Sequence, residues 1–144
     1  MSDPGDLLDD DLAEAVEACR LPAAHFRHPQ HVHLGWHYLR TQPLLDAIIH
    51  FGRVVARFAA HHGAPGKYDA MLTVAYMLLI EERRRLRPDA DWPAFASEND
   101  DLIRDGQAAL RRRLDRIDQR SNTRDALPER NSASASSSSS SSAI

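Results

Sequence analysis

Five of the eight histidines in this chain lie within thirteen residues, from His25 to His37. Imidazole is the commonest metal ligand among protein side chains, and its ordinary pKa lets it accept or donate a proton near neutral pH. A cluster of this kind beside the start of a helix therefore predicts a metal site or an acid–base site. It does not indicate which reaction such a site would perform.

A helical wheel divides these histidines into two groups. Pro29 suits the first position of a helix, where its missing N–H costs no hydrogen bond, so His28 is predicted as the N-cap. At about 100° per residue, His28 and His31 fall beside the buried stripe that contains Val32. We expect them to point inward as two metal ligands, or as a base and its orienting partner. A structural role stays open, with His28 capping the helix and His31 bonded to a backbone carbonyl.

The other histidines are predicted to have no chemical role. His33 and His37 lie together on the far side of the same helix, where we expect them to be in water. An exposed pair with this spacing is a weak signal for a surface metal site. His61 and His62 end a later helix, where a cationic imidazole complements the helix dipole.

A second polar group interrupts a helix that is otherwise mostly apolar. Asp69, Thr73 and Tyr76 share one face of this helix, at positions i, i+4 and i+7. Because buried polar groups need partners, this face is predicted either to meet the histidines or to form hydrogen bonds within the core. The structural alternatives are an N-terminal cap for Asp69, and for Thr73 a bond to the carbonyl one turn earlier.

Four short motifs follow one another between about residues 11 and 105. They read F-x-H-x-x-H-V from Phe26, G-W-x-Y-L from Gly35, G-x-x-x-x-Y from Gly63 and W-x-x-F-x-x-x-N-x-x-L from Trp92. In these motifs the chain resembles an uncharacterised family of small all-helical bacterial proteins. The resemblance implies a bacterial helical protein and carries no established activity.

The chain departs from the family pattern in the polar segment of the later helix. Asp69 stands where the pattern has histidine and Met71 where it has threonine, whereas Thr73 is kept. A carboxylate can replace an imidazole as a ligand of zinc, iron or manganese. His28, His31 and Asp69 would then form a set of two histidines and one carboxylate. The same change would equally suit a family member that has lost its chemistry.

The elements that must position these residues are helices. Apolar residues recur at helical spacing from about residues 11, 28, 44 and 68, and shorter helices are predicted from Trp92 and over about 107–119. The segment 70–80 is apolar nearly all round, which predicts the central helix. We therefore expect an all-α bundle of four to six helices forming a single domain over 9–120. Residues 121–144, rich in serine and alanine, are predicted to be a disordered tail.

Composition narrows the class of protein. A chain of 144 residues with a net charge of −3 and one cysteine, Cys19, has room for one modest core and no intramolecular disulfide. The absence of a signal-peptide pattern, and of an apolar run of about 20 residues, predicts a cytoplasmic protein with no membrane partner. Nucleic acid is not predicted as a partner either. Arginine runs at 83–87 and 111–113 leave nucleic-acid binding as a third, weaker interpretation.

The favoured interpretation is a helical bundle that encloses a metal or acid–base site. His28, His31 and Asp69 would form that site, with Thr73 and Tyr76 supporting them. The cofactor would be a divalent metal (Zn, Fe or Mn), which suits hydrolysis or non-haem iron oxidation, or there would be none. The alternative is a non-catalytic helical protein that binds another protein or a small molecule, in which the same polar residues are structural.

Overall fold

The computed structural model describes residues 8–123, and every regular element within that range is a helix, as predicted. The helices are α1 Asp9–Glu17, α2 His28–Thr41, α3 Leu44–His61, α4 Ala70–Leu86, α5 Trp92–Glu98, α6 Asp100–Arg104 and α7, residues 106–123. Short 3-10 turns at Ala23–His25 and Pro65–Lys67 precede α2 and α4. No helix in the described range is long and apolar enough to cross a membrane.

The central helix of the protein is α2. It contacts α1, α3, α4 and α6. Its buried residues are Val32, His33, Leu34, Gly35, Trp36, Tyr38 and Leu39. The prediction that α4 would be central is wrong, because Met71 and Leu78 on that helix are 83% and 48% exposed. The apolar surface of α4 exceeds what its neighbours cover, so one of its faces remains in water.

The start of α2 differs by one residue from the prediction. Arg27 is the N-cap, and its backbone N–H donates a hydrogen bond to Oε1 of Gln30 at 3.0 Å. Pro29 is then the second residue of the helix, where its missing N–H still costs nothing, because the first four N–H groups have no partner within the helix. His28 becomes the first helical residue, so its side chain does not serve as the cap.

α3 packs through the apolar stripe that the sequence predicted. The buried residues of that stripe are Phe51, Val55 and Phe58. Leu45 and Ile49, on the same helix, are 71% and 53% exposed. Gly63 follows the helix with a φ of 75°, a conformation that glycine adopts without strain at a helix C-terminus.

Aspartate caps set the starts of α4 and α5. Oδ1 of Asp69 accepts a hydrogen bond from the backbone N–H of Leu72, and Oδ1 of Asp91 accepts one from Ala94, each at 3.0 Å. α6, only five residues long, was not predicted, because so short a segment shows no repeating apolar pattern.

The residues that the structure describes divide into two compact units, 8–110 and 111–123. The first unit contains the apolar core, which draws on all six helices from α1 to α6 and on Ala109. From 111 to 123 almost every side chain is exposed, because this sequence offers no wide apolar face. α7 continues three residues past the predicted start of the tail at 121. The rest of the predicted tail, 124–144, lies outside the described residues.

Candidate functional site

The structure places around one cleft the five side chains that the sequence singled out. They are His28, His31, Asp69, Thr73 and Tyr76. The cleft lies between α2 and α4 and has a volume of about 240 Å³. Its apolar lining consists of Val32, Phe51, Val55, Leu72, Met77 and Ile80. The start of α2 and the start of α4 therefore meet at one place, as the sequence predicted.

His28 is anchored to a distant part of the chain. Its Nε2–H donates a hydrogen bond to the carbonyl oxygen of Leu102 at 2.9 Å, and its ring centroid lies 5.4 Å from that of Tyr76. Gly106 leaves room for the ring, since a Cβ at that position would overlap the imidazole. Because a carbonyl can only accept, Nε2 of His28 carries the proton of this bond and cannot bind a metal.

His31 is held by its own helix. Its Nδ1–H donates to the carbonyl oxygen of Arg27 at 2.7 Å, and its ring stacks on Phe26 with centroids 3.9 Å apart. Because a carbonyl can only accept, the proton lies on Nδ1 and the lone pair on Nε2. Burial lowers the pKa of His31, the Arg27 carbonyl opposes this, and the charge of His28 lowers the pKa further. His31 is therefore neutral at pH 7.

His62 is a further imidazole close to His31 that the sequence analysis assigned to another role. Both histidines line a second cleft, of about 400 Å³, which shares Val55, Lys67 and Tyr68 with the first. Nε2 of His62 is buried and has no hydrogen-bond partner among the described residues. A signal for its position existed, because His62 lies four residues after Phe58 and so continues the buried stripe of α3.

Asp69 and Thr73 each form the structural hydrogen bond that was given above as the alternative to a role in the site. Asp69 caps α4 with its carboxylate. The hydroxyl of Thr73 donates to the backbone carbonyl of Asp69 at 2.8 Å. The chemistry of the cleft therefore falls mainly to its imidazoles and phenols.

Two tyrosines place hydroxyl groups at the cleft. Burial raises the pKa of Tyr76, and the nearby charge of Asp105 raises it further, so this phenol remains a hydrogen-bond donor at neutral pH. The hydroxyl of Tyr68 packs against Gly52, where a Cβ would lie 3.0 Å from it. The sequence analysis did not select Tyr68 or Lys67. Their position directly before Asp69 in the sequence could have identified them as candidate site residues.

The part of the chain that the structure describes contains no preformed set of metal ligands. No three side chains among its histidines, cysteines, aspartates and glutamates are placed to hold a metal ion. His28, His31 and Asp69 share a cleft, but His28 and Asp69 each use a potential ligand atom in a hydrogen bond to the backbone.

The prediction that His33 and His37 lie in water is wrong. His33 is 3% exposed, its Nε2–H donates to Oδ1 of Asp9 at 2.6 Å, and its ring stacks on Trp92 with centroids 4.1 Å apart. Nε2 of His37 lies 3.4 Å from Oδ1 of Asp10. α1 covers this side of α2, and the periodicity of one helix cannot show which of its faces a neighbouring helix will cover.

The arginines at the end of α4 form ion pairs with carboxylates of the same protein. Its ion pairs are Arg83–Asp101 at 2.8 Å, Arg84–Glu81 at 2.7 Å, Arg85–Glu81 at 3.0 Å and Arg87–Glu98 at 2.7 Å. The positive charge of this run is therefore balanced locally.

Comparison of the chain with known protein families, with curated proteins and with solved structures finds no match. Its function must therefore be argued from its own residues.

Proposed function

We propose that the cleft between α2 and α4 binds a small molecule and that Nε2 of His31 accepts a proton from it. The observation that carries this proposal is the fixed, neutral imidazole of His31, whose proton is held on Nδ1 by the Arg27 carbonyl. An imidazole oriented in this way through its other nitrogen is a suitable general base. Its lowered pKa keeps Nε2 unprotonated at neutral pH.

The residues that line the cleft indicate which kind of small molecule it would bind. The lining surface is largely apolar. Besides the histidines, Asp69 and Thr73 already described, its polar groups are the phenols of Tyr68 and Tyr76 and the ammonium group of Lys67. Pockets for drug-sized ligands have volumes of about 300–1,000 Å³. The cleft, at about 240 Å³, is smaller. It therefore suits a single ring or short chain that carries one acidic hydroxyl, amide or carboxyl group.

Proton exchange is better supported than metal binding. A divalent Zn, Fe or Mn ion bound by Nε2 of His28 and Oδ1 of Asp69, together with His31, would require His28 to release the Leu102 carbonyl and Asp69 to release the N–H of Leu72. Each exchange would leave a backbone group without its partner, which costs free energy. Proton transfer to His31 requires no such rearrangement.

The proposal is tested with a library of monocyclic phenols, amides and carboxylic acids, screened by saturation-transfer NMR. We expect ligands that bind the wild-type protein to lose their signal with His31→Gln, because a Gln amide can still donate to the Arg27 carbonyl but cannot accept the proton. His61→Gln is the matched control, since His61 is exposed and lines neither cleft. Ligands that bind both variants equally, or a library without ligands, would contradict the proposal.

A non-catalytic protein that binds a partner protein is the second candidate. Met71, Val74 and Leu78 lie at i, i+3 and i+7 on α4 and are 83%, 40% and 48% exposed. Apolar side chains with this spacing form one stripe, which suits packing against another helix. Sedimentation velocity tests the case in which the partner is a second copy. Leu78→Lys should then shift a dimer to the monomer, and a wild-type protein that stays monomeric at all concentrations would exclude this case.

A further inference from the structure

A groove between α1 and α2 is separate from the clefts that His31 lines. Its volume is about 500 Å³. Three carboxylates of α1, those of Asp10, Glu14 and Glu17, line it, whereas no lysine or arginine does. We call it the acidic groove. On the α2 side its lining includes His37 and Tyr38.

The acidic groove contains buried polar atoms that have no partner. Tyr38 is 2% exposed, and its hydroxyl makes no hydrogen bond to any described residue. Nδ1 of His37 is likewise buried and without a partner in the same part of the chain. Burial raises the pKa of Tyr38, and the Glu17 carboxylate beside its hydroxyl raises the pKa further, whereas the charge of Arg57 lowers it. A ligand that bonded to these atoms would recover the free energy that their burial costs.

The carboxylates of the acidic groove form a regular row. Asp10, Glu14 and Glu17 stand at i, i+4 and i+7, so successive members lie about 6 Å and about 4.5 Å apart along the helix axis. Their ion pairs within the protein are to His37 at 3.4 Å, to Arg20 at 3.1 Å and to His50 at 3.8 Å, respectively. The Asp10 and Glu14 side chains are 95% and 71% exposed, which makes their pairs weak and easily exchanged.

We propose that the acidic groove binds a linear aliphatic polyamine. Ammonium groups separated by three or four methylenes repeat at about the spacing of the carboxylate row on α1. The innermost ammonium would donate to Glu17 and to the Tyr38 hydroxyl, which accepts, and the alkyl chain would lie over Ala13 and Ala18, which also line the groove. A metal ion is not favoured there, because no three ligands in the described residues are placed to hold one. This proposal is independent of the function of His31.

Isothermal titration calorimetry of the full chain at constant ionic strength tests the proposal, with spermidine, 1,4-diaminobutane and n-butylamine as probes. We expect the affinity to fall in that order, because each step removes an ammonium group that the carboxylate row can pair. Tyr38→Phe should weaken spermidine binding about tenfold or more, because it removes a hydrogen bond to a charged group. Glu14→Gln, at an exposed side chain, should weaken binding without affecting folding. Glu98→Gln, on α5 and outside the groove, should leave binding unchanged.

Three results would overturn the proposal. The first is no binding of spermidine at millimolar concentration. The second is equal weakening by Tyr38→Phe and Glu98→Gln, which would indicate diffuse attraction to a negatively charged protein. The third is displacement of spermidine by Mg²⁺ at matched ionic strength, which would mean that charge alone is recognised. Tyr38→Phe removes a hydroxyl without a partner, so circular dichroism should show the wild-type fold and a loss of binding can be assigned to the groove.

Discussion

Two histidines three residues apart on α2 bond to different carbonyls. His31 bonds back to Arg27 in its own helix, which fixes the ring and leaves Nε2 to the cleft. His28 bonds across the protein to Leu102, whose side chain is fully buried, and so connects the start of α2 to α6. In the proposed function the first bond prepares a proton acceptor, whereas the second joins two distant parts of the chain.

His28→Ala should lower the free energy of unfolding by about 1–3 kcal/mol, because it leaves the Leu102 carbonyl without its partner. Urea denaturation measures this loss. His61→Ala is the control at an exposed histidine and should change the free energy by less than about 0.5 kcal/mol. Equal losses in the two variants would show that the bond to Leu102 contributes nothing.

Asp69 can be tested for its two roles separately. Asp69→Ala should destabilise the protein by about 1 kcal/mol through loss of the α4 cap, whereas Asp69→Asn keeps a capping oxygen and should be nearly neutral. Thermal unfolding of both variants measures the difference. If Asp69→Asn kept full stability but abolished uptake of Zn²⁺ measured on the same samples, the carboxylate would be a metal ligand as well as a cap.

At the scale of elements, the start of α7 depends on the absence of one side chain. Gly106→Ala should lower the free energy of unfolding by about 1–3 kcal/mol, because the new Cβ overlaps the His28 ring and forces a shift in a packed region. Gly66→Ala is the matched control, since a Cβ there meets nothing within 4 Å. Comparable chemical denaturation midpoints for the two variants would contradict this account.

The sequence predicted the helices better than it predicted their faces. The Asp91 cap, the Gly63 that follows α3 and the apolar stripe of α3 are local features that depend only on neighbouring residues. The surroundings of α2 depend on which helices cover it, and that is decided by contacts between distant residues. His33 was therefore placed in water although Asp9 and Trp92 enclose it.

The candidate site shows the same contrast between local signals and contacts between distant residues. The spacing of the polar residues left open whether the polar face of α4 would meet the histidines of α2, and both sets line one cleft. It did not predict that backbone groups would occupy His28 and Asp69, since these bonds depend on the positions of α6 and of the first turn of α4. Tyr68 and His62 were not predicted as site residues, because both lie outside the segments 28–31 and 69–76 from which the site was predicted.

At the scale of the whole molecule, the buried His33 and the half-buried His31 make stability depend on pH. Burial lowers the pKa of His31 and of His33 below 6.5, and for His33 the Asp9 bond opposes but does not cancel this effect. Below pH 6.5 the unfolded chain binds protons that the folded protein does not. Stability is therefore complete above pH 6.5 and is lost as the pH falls toward the lowered pKa values of the folded state.

The melting temperature should accordingly decrease from pH 7.5 to pH 5, with a slope in free energy of at most about 1.4 kcal/mol per pH unit for each histidine. His31→Gln should make this slope smaller, whereas His61→Gln should not change it. The measurement stops at pH 5 to exclude Glu81, whose pKa lies below 4.5 because Arg84 and Arg85 outweigh the opposing effect of burial. A flat profile between pH 7.5 and pH 5 would contradict the lowered pKa values.

The stacking of His33 has an optical consequence. The chain has two tryptophans; the Trp92 ring lies 4.1 Å from the His33 ring and nearly parallel to it, and the Trp36 ring lies 6.2 Å away. An imidazolium quenches indole emission more strongly than a neutral imidazole does. The intrinsic fluorescence of the protein should therefore report whether His33 is protonated, and should dim in acid at a pH below 6.5. Because His33 also bonds to Asp9 of α1, the emission of Trp36 on α2 and Trp92 on α5 should also report, with no added dye, whether α1 is packed against α2.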